Sequence, residues 1–145
     1  MNKRNLLSRA KEIATMAHSG QLDLAGKPYI GHLERVASMV QGSDRQIVAW
    51  LHDVMEDRPD LIPLVKAEFP SYIITALEAI THHTHEPYEH YIQRVNGNLL
   101  SVAVKIADLI DNTDLSRLPT VTDKDLARQA KYHKALRFLL REYIH

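Results

Sequence analysis

The 145-residue sequence contains no cysteine. That excludes disulfides, thiolate metal sites and cysteine nucleophiles together, so any bound metal must rest on nitrogen and oxygen. Neither sign of charge is in surplus, with eighteen Lys plus Arg against eighteen Asp plus Glu. A broad basic face for a DNA or RNA duplex or for an anionic membrane is therefore not expected, and any phosphate-binding site must be local. No uninterrupted apolar run approaches the ~18 residues of a membrane span. Lys3, Arg4 and Arg9 precede an amphipathic stretch rather than the apolar core of a signal peptide, so a soluble, cytoplasmic protein is the expectation. No linker, low-complexity segment or internal repeat divides the chain, and residues 1–145 read as one domain. What is present is an apolar fraction of 45%, enough for an ordinary core, and nine histidines. The histidines are the one compositional oddity, and they make a metal or proton-transfer site worth seeking.

Apolar residues recur at helical steps through most of the chain. Leu6, Ala10, Ile13, Ala14 and Ala17 predict an amphipathic helix ending near Gly20, and a loop follows from Gln21 to Gly31. Leu33, Val36, Ala37 and Val40 mark a second helix. Ser43 or Asp44 can cap a third, which runs through Ile47, Val48, Leu51, Val54 and Met55 to a break at Arg58-Pro59-Asp60. Asp60 is expected to cap a short helix through Phe69, Pro70 and Ser71 open another to about Ile80, and Thr81 to Glu86 form a histidine-rich loop. Pro87 suits the first position of a helix from Tyr88 to Val95, Asn96-Gly97-Asn98 turns, and Leu99 to about Leu115 is strongly apolar. Thr122 with Asp125 resembles a capping box for a closing helix whose inward stripe is Tyr132, Leu136, Leu139 and Tyr143. Ile73-Ile74-Thr75 has strand propensity but no partner strand. About eight helices on short connections predict an all-α, single-domain bundle.

Polar residues stand where a buried helix should have none. The segment Ile47 to Met55 is apolar nearly all round, yet it holds His52 and Asp53. An ionised carboxylate there must be paired, hydrogen-bonded or metal-bound, because bare desolvation is costly. Glu56 and Asp57 follow at i+4 from His52 and Asp53, and carboxylates so crowded repel unless a cation sits among them. The late apolar helix repeats the pattern with Lys105 and Asp108, and Asn112 lies at i+4 from Asp108. The plain alternatives are ion pairs, of Asp108 with Lys105 and of Asp53 with Arg35 or Arg94. His32 opens the second helix directly after the Pro28-Tyr29-Ile30-Gly31 turn. Together His32, His52, Asp53 and Asp108 would make a two-nitrogen, two-oxygen site. That mix suits Mn²⁺, Fe²⁺ or Zn²⁺ better than Ca²⁺ and, with positions left for water, suits hydrolysis.

The string LHDVMED resembles the signature of the HD superfamily of metal-dependent phosphohydrolases. More closely, the chain resembles the hydrolase domain of the RelA/SpoT family and its small single-domain relatives. The matching strings are AHSGQ at 17–21, GKPYIGHLERVA at 26–37, AWLHDVMED at 49–57 and VKIADLIDN at 104–112, in family order over roughly residues 5–140. The resemblance implies an HD-type bundle in which His32, His52, Asp53 and Asp108 hold a divalent ion, commonly Mn²⁺, with Fe²⁺, Zn²⁺ or Mg²⁺ as alternatives. It implies that Glu56 and Asp57 handle the water and its protons and that Asn112 touches the substrate ribose; beside it, Lys105 is expected as a further substrate contact. The implied reaction is release of pyrophosphate from the 3′ position of a guanosine polyphosphate, without a covalent enzyme intermediate.

Two stretches depart from that pattern. Where the guanosine tetraphosphate hydrolases carry a basic Arg-Lys pair that meets the nucleotide, this chain has Leu22-Asp23-Leu24-Ala25, with Asp23 in place of the Arg. Thr113-Asp114-Leu115 likewise stands where those enzymes are basic. An acid at position 23 repels a polyphosphate and offers no arginine stack. The alternatives are therefore a phosphomonoesterase for a nucleoside monophosphate or similar compound, and a non-catalytic, metal-stabilised bundle that senses a nucleotide or docks a partner. His82, His83, His85 and His90 lack the acid or cysteine spacing of a Zn²⁺ site, so a solvated, capping or pocket-rim loop is expected there. His18 is expected to be structural, Tyr88 and Tyr91 to be core or pocket wall, and His133 and His145 carry no signal.

Overall fold

Nine α-helices and one 3-10 turn form among the residues described by the computed structural model, which cover 3–144 in the backbone and 5–141 in the side chains. In chain order they are α1 (Lys3–Ala17), α2 (Ile30–Ser38), α3 (Ser43–Leu51), α4 (Val54–Asp57), the 3-10 turn (Pro59–Leu61), α5 (Ile62–Glu68), α6 (Ser71–Ile80), α7 (Tyr88–Asn96), α8 (Leu99–Thr113) and α9 (Asp123–Ile144). The fold is all-α, as the helical periodicity predicts. No strand occurs among the described residues, and Leu22 and Pro28 make one isolated antiparallel bridge in the loop after α1. Ile73-Ile74-Thr75 lie inside α6, where they belong to an amphipathic helical run rather than to a strand.

The predicted third helix is divided in two at His52-Asp53, which accounts for the difference between about eight helices and nine. The His52 imidazole donates from Nδ1 to Ala49 O at 2.7 Å. A continued helix would offer that carbonyl to the Asp53 N–H, so the side chain competes with the backbone ladder. The chain resumes as α4 when Asp57 N bonds Asp53 O at 2.9 Å. Three caps also differ from expectation. Gly42, with φ +90°, stands at the N-cap of α3 in place of Ser43 or Asp44. Asp60 caps nothing and instead accepts from Arg58 across two residues. Pro87 is the N-cap of α7, one position earlier than expected.

Two helix starts carry side-chain capping bonds among the described residues. Asn98 accepts from the N–H groups of Leu100 and Ser101 at the start of α8. Thr122 and Asp125 form the reciprocal box expected from their spacing: Thr122 N donates to Asp125 Oδ2 at 2.8 Å, and Asp125 N donates to Thr122 Oγ1 at 3.2 Å. The inward role given to Tyr143 falls outside the described side chains, as do Lys3, Arg4 and His145.

α3 and α8 are the central helices, with α1, α2 and α6 packed on α3 and with α2, α6, α7 and α9 packed on α8. A larger apolar cluster runs through α1, α2, α3 and α6 and takes Val104 and Ala107 from α8. A smaller one joins α7 and α9 to Val102 and Leu109 of the same helix. The polar residues of interest sit where α2, the α3–α4 break and α8 meet.

Candidate metal centre and adjoining cleft

Burial leaves the two central histidines little freedom over where they place a proton. His32, buried on α2, has Nδ1 2.7 Å from Asp111 Oδ2, and a carboxylate can only accept, so that nitrogen is the donor. His52 spends its Nδ1–H on Ala49 O. Both Nε2 atoms therefore turn inward, toward two further carboxylates. His32 Nε2 lies 2.9 Å and His52 Nε2 3.2 Å from Asp108 Oδ1. His52 Nε2 is 3.2 Å and His32 Nε2 3.8 Å from Asp53 Oδ2. His32, His52 and Asp53 each offer a ligand atom within 4.8 Å of the others.

This donor set fits a divalent ion. Ligand atoms bound at ~2.1 Å stand about 3.0–3.4 Å apart around an octahedral or tetrahedral ion; both His52 separations, at 3.2 Å, fall in that range, and those of His32, at 2.9 and 3.8 Å, lie on either side of it. Without an ion the same contacts are hydrogen bonds that need a proton on each imidazole, and two such protons bring the charge of one divalent cation. Accordingly, although desolvation works against the charged ring, the hydrogen bonds it donates to Asp108 and Asp111 push the His32 pKa up to about 10. Burial opposes the same rise at His52, where Asp53 and Asp108 prevail. Burial favours neutral Asp108, but Lys105 and the two histidines hold it well below the usual carboxylate range.

Further shells of support surround these residues. Asp111 accepts from His32, from Arg35 Nε at 2.7 Å and from Arg117 Nη2 at 3.2 Å, and its pKa falls to about 2, against desolvation, because of His32 and Arg35. Such a carboxylate behind a histidine fixes ring orientation and raises its basicity. The Tyr29 hydroxyl donates to Asp53 Oδ2 at 2.5 Å, and burial together with Asp53 raises its pKa, so it remains a donor. Asp53 thus pairs with neither Arg35 nor Arg94, since Arg94 is bonded to Glu86 and to Thr81 O. The Lys105–Asp108 pair does exist, at 2.9 Å, yet it uses Oδ2 and leaves Oδ1 to the histidines and Asn112.

The remaining candidates lie around this centre. Asn112 donates to Asp108 Oδ1 at 3.1 Å and borders the cleft described below, whereas Lys105 is buried, 5.0 Å over the Tyr91 ring. Glu56 and Asp57 are engaged by opposite loops. Glu56 accepts from His82 N at 2.5 Å; its edge is open to solvent, but crowding around the carboxyl desolvates it and pushes its pKa up against that bond. Asp57 accepts from Gln21 Nε2 at 3.2 Å, and Gln21 in turn meets His18 Nδ1 at 2.8 Å. The loop histidines do not converge: His82 stacks on Tyr91 and bonds Glu86 O, His85 adopts φ +70°, and His83 and His85 are exposed. Among the described residues they gather no metal-ligand cluster.

Beside the centre opens a cleft of about 320 Å³ between the loop after α1 and the ends of α8 and α9. Tyr29, His32 and Asn112 join it to the centre, and its polar wall includes Asp23, Asp111, Asp114, Arg35, Arg117 and Arg128. Asp111, Tyr29, Arg117 and Arg128 were not singled out from the sequence. Asp111 carries a usable signal, standing three residues after Asp108 on one helical face.

No protein-family model matches the chain. It is 28% identical over 142 residues to a probable guanosine-3′,5′-bis(diphosphate) 3′-pyrophosphohydrolase of Synechocystis, a match covering 87% of this chain and 19% of the relative. It is 30% identical over 115 residues to the guanosine-3′,5′-bis(diphosphate) 3′-pyrophosphohydrolase of Haemophilus influenzae, covering 69% of this chain and 17% of the relative. The chain thus spans about a fifth of the length of these relatives, and both are hydrolases by name. No described helix is long and apolar enough to cross a membrane.

Proposed function

We propose that residues 1–145 form one HD-type domain that hydrolyses a small phosphorylated nucleotide with a divalent metal, Mn²⁺ before Fe²⁺, Zn²⁺ or Mg²⁺, in the cytoplasm. The finer reading, drawn from the relatives, is release of pyrophosphate from the 3′ end of guanosine 3′,5′-bis(diphosphate). The observation that carries the proposal is the convergence of two imidazole Nε2 atoms on Asp53 and Asp108, with each ring's other nitrogen already committed. His32, His52, Asp53 and Asp108 would hold the ion. The chemistry such an ion supplies is polarisation of a phosphoryl oxygen and activation of water near neutral pH.

The protein's own groups then have separate tasks. Glu56, whose pKa is raised, is suited to hold a proton and give it to a leaving oxygen; Asp57, oriented by Gln21, is suited to accept one from water. Tyr29 keeps Asp53 in place, and Asn112, at the junction of centre and cleft, is positioned for a sugar hydroxyl. Lys105 acts as a substrate contact only through the donors that Asp108 leaves it. A second reading, phosphomonoester hydrolysis, is favoured by the size of the cleft. At about 320 Å³ it lies at the small end of the roughly 300–1,000 Å³ range of ligand pockets.

The test is a hydrolysis screen with Mn²⁺ over guanosine 3′,5′-bis(diphosphate) and the common nucleoside monophosphates, run beside Asp53→Asn. Pyrophosphate release that disappears in the variant, with helical circular dichroism unchanged, is the expected result. Phosphate release from monophosphates alone would select the second reading. Absence of Mn²⁺-dependent turnover on every compound would leave a non-catalytic, nucleotide-sensing bundle.

A further inference from the structure

The cleft beside the metal centre carries as many acids as arginines. Asp23, Asp111 and Asp114 line it together with Arg35, Arg117 and Arg128. Each arginine already has an acidic partner: Arg35 Nε bonds Asp111 at 2.7 Å, Arg117 bonds both Asp111 and Asp114, and Arg128 bonds Asp125 at 2.5 Å. Asp23 forms no ion pair with any Lys or Arg among the described residues; its Oδ1 accepts the backbone N–H groups of Ala25 and Lys27, both at 2.9 Å.

Those two bonds matter because they remove the usual escape of a surface carboxylate, which is to swing away. The loop is closed further by Asp23 N on Lys27 O at 2.8 Å and by Tyr29 N on Gln21 O at 2.8 Å. Gly26, with φ +79°, supplies the left-handed residue that lets so short a loop return on itself. Asp23 is thus a fixed negative group in the wall, with Oδ2 left as an acceptor.

We infer that Asp23 sets substrate class: the cleft takes phosphorylated nucleosides whose charge lies at one end only, with an uncharged hydrogen-bond donor, such as a hydroxyl or an amino group, presented to Asp23. This rests on the hydrolase reading and deepens its second form, favouring phosphomonoester hydrolysis over pyrophosphate release from a doubly phosphorylated guanosine. A nucleotide phosphorylated at both ends brings its second anionic group into a cleft with no unpaired arginine and one fixed carboxylate. At a separation of several ångströms and intermediate dielectric, one such repulsion amounts to about a tenfold discrimination.

The experiment compares guanosine 3′,5′-bis(diphosphate) with guanosine 3′-monophosphate and guanosine 5′-diphosphate on the full chain with Mn²⁺. It measures both Kd by titration calorimetry and kcat/KM, for the wild type and for Asp23→Asn. Asparagine keeps an acceptor for the Ala25 and Lys27 N–H groups and removes the charge. The expected result is tighter binding of a one-ended nucleotide by the wild type, with that preference narrowed about tenfold in Asp23→Asn. Wild-type preference for the doubly phosphorylated compound, or a ratio indifferent to Asp23→Asn, overturns the inference even if hydrolysis is robust. Binding that follows the expected ratio without any turnover upholds the inference and sinks the hydrolase reading, and failure of all three nucleotides to bind overturns both.

Discussion

Asp111 holds three side chains at once, the His32 ring and the guanidinium groups of Arg35 and Arg117. Asp111→Asn keeps the shape but loses the charge that orients and strengthens His32. A loss of about 10- to 100-fold in Mn²⁺ affinity is expected from calorimetric titration. Unchanged affinity would mean that His32 needs no carboxylate behind it. At this scale the sequence was informative wherever a polar residue broke an apolar run. His52, Asp53 and Asp108 stand out for that reason; the fold groups His52 and Asp53 with His32 and sets Asp108 against both rings. Tyr29 and Arg117 were hidden because they lie in loops, where polar residues are ordinary, and Asp111, near the end of α8, had only its spacing from Asp108 to mark it. Folding reveals their use: Asp111 meets His32 and Arg35 across more than 70 positions of chain, Tyr29 meets Asp53, and Arg117 closes on Asp111.

Helices are fixed by their ends as much as by their faces. Asn98 takes two free N–H groups at the start of α8, so Asn98→Ala should lower stability by about 1 kcal/mol in urea unfolding, while Asn98→Asp should retain most of it. An Ala variant as stable as the wild type would show that tertiary packing alone starts this helix. Periodicity located α1, α2, α6, α7, α8 and α9 to within a few residues, because a long apolar stripe repeats its evidence every turn. It could not locate the break at His52-Asp53. Both residues keep right-handed helical angles, with φ −62° and −94°, and the interruption arises from one imidazole bonding one carbonyl. The short caps failed for a related reason: Ser43, Asp44 and Asp60 have the right chemistry, but Gly42 and the Arg58 pairing settle those corners first.

Across the whole molecule, the proposed ligands come from α2, from the α3–α4 break and from α8, so an ion held by all of them would tie together segments that unfolding separates. Linkage then predicts added stability of about 2.7 kcal/mol at a hundredfold excess over Kd, a rise in Tm of roughly 8 °C. Thermal unfolding with and without Mn²⁺ measures it. The rise should vanish with a chelator and shrink in Asp53→Asn; a Tm indifferent to Mn²⁺ would count against the metal centre. The all-α class was legible because no segment alternates with a partner, whereas the cleft was not, since its wall is assembled from a loop and two distant helix ends. α8 is clasped from both sides, giving Val104 and Ala107 to one apolar cluster and Val102 and Leu109 to the other. Held on two faces, it resists rolling, and Asp108 rides on it like a mark on an axle seated in two bearings. The loop around Asp23 and the outer turns of α9 sit beyond those bearings, so substitutions there can re-tailor what enters the cleft while the aim of Asp108 stays put. Such an arrangement lets ligand preference drift through generations of sequence change faster than the machinery beneath it.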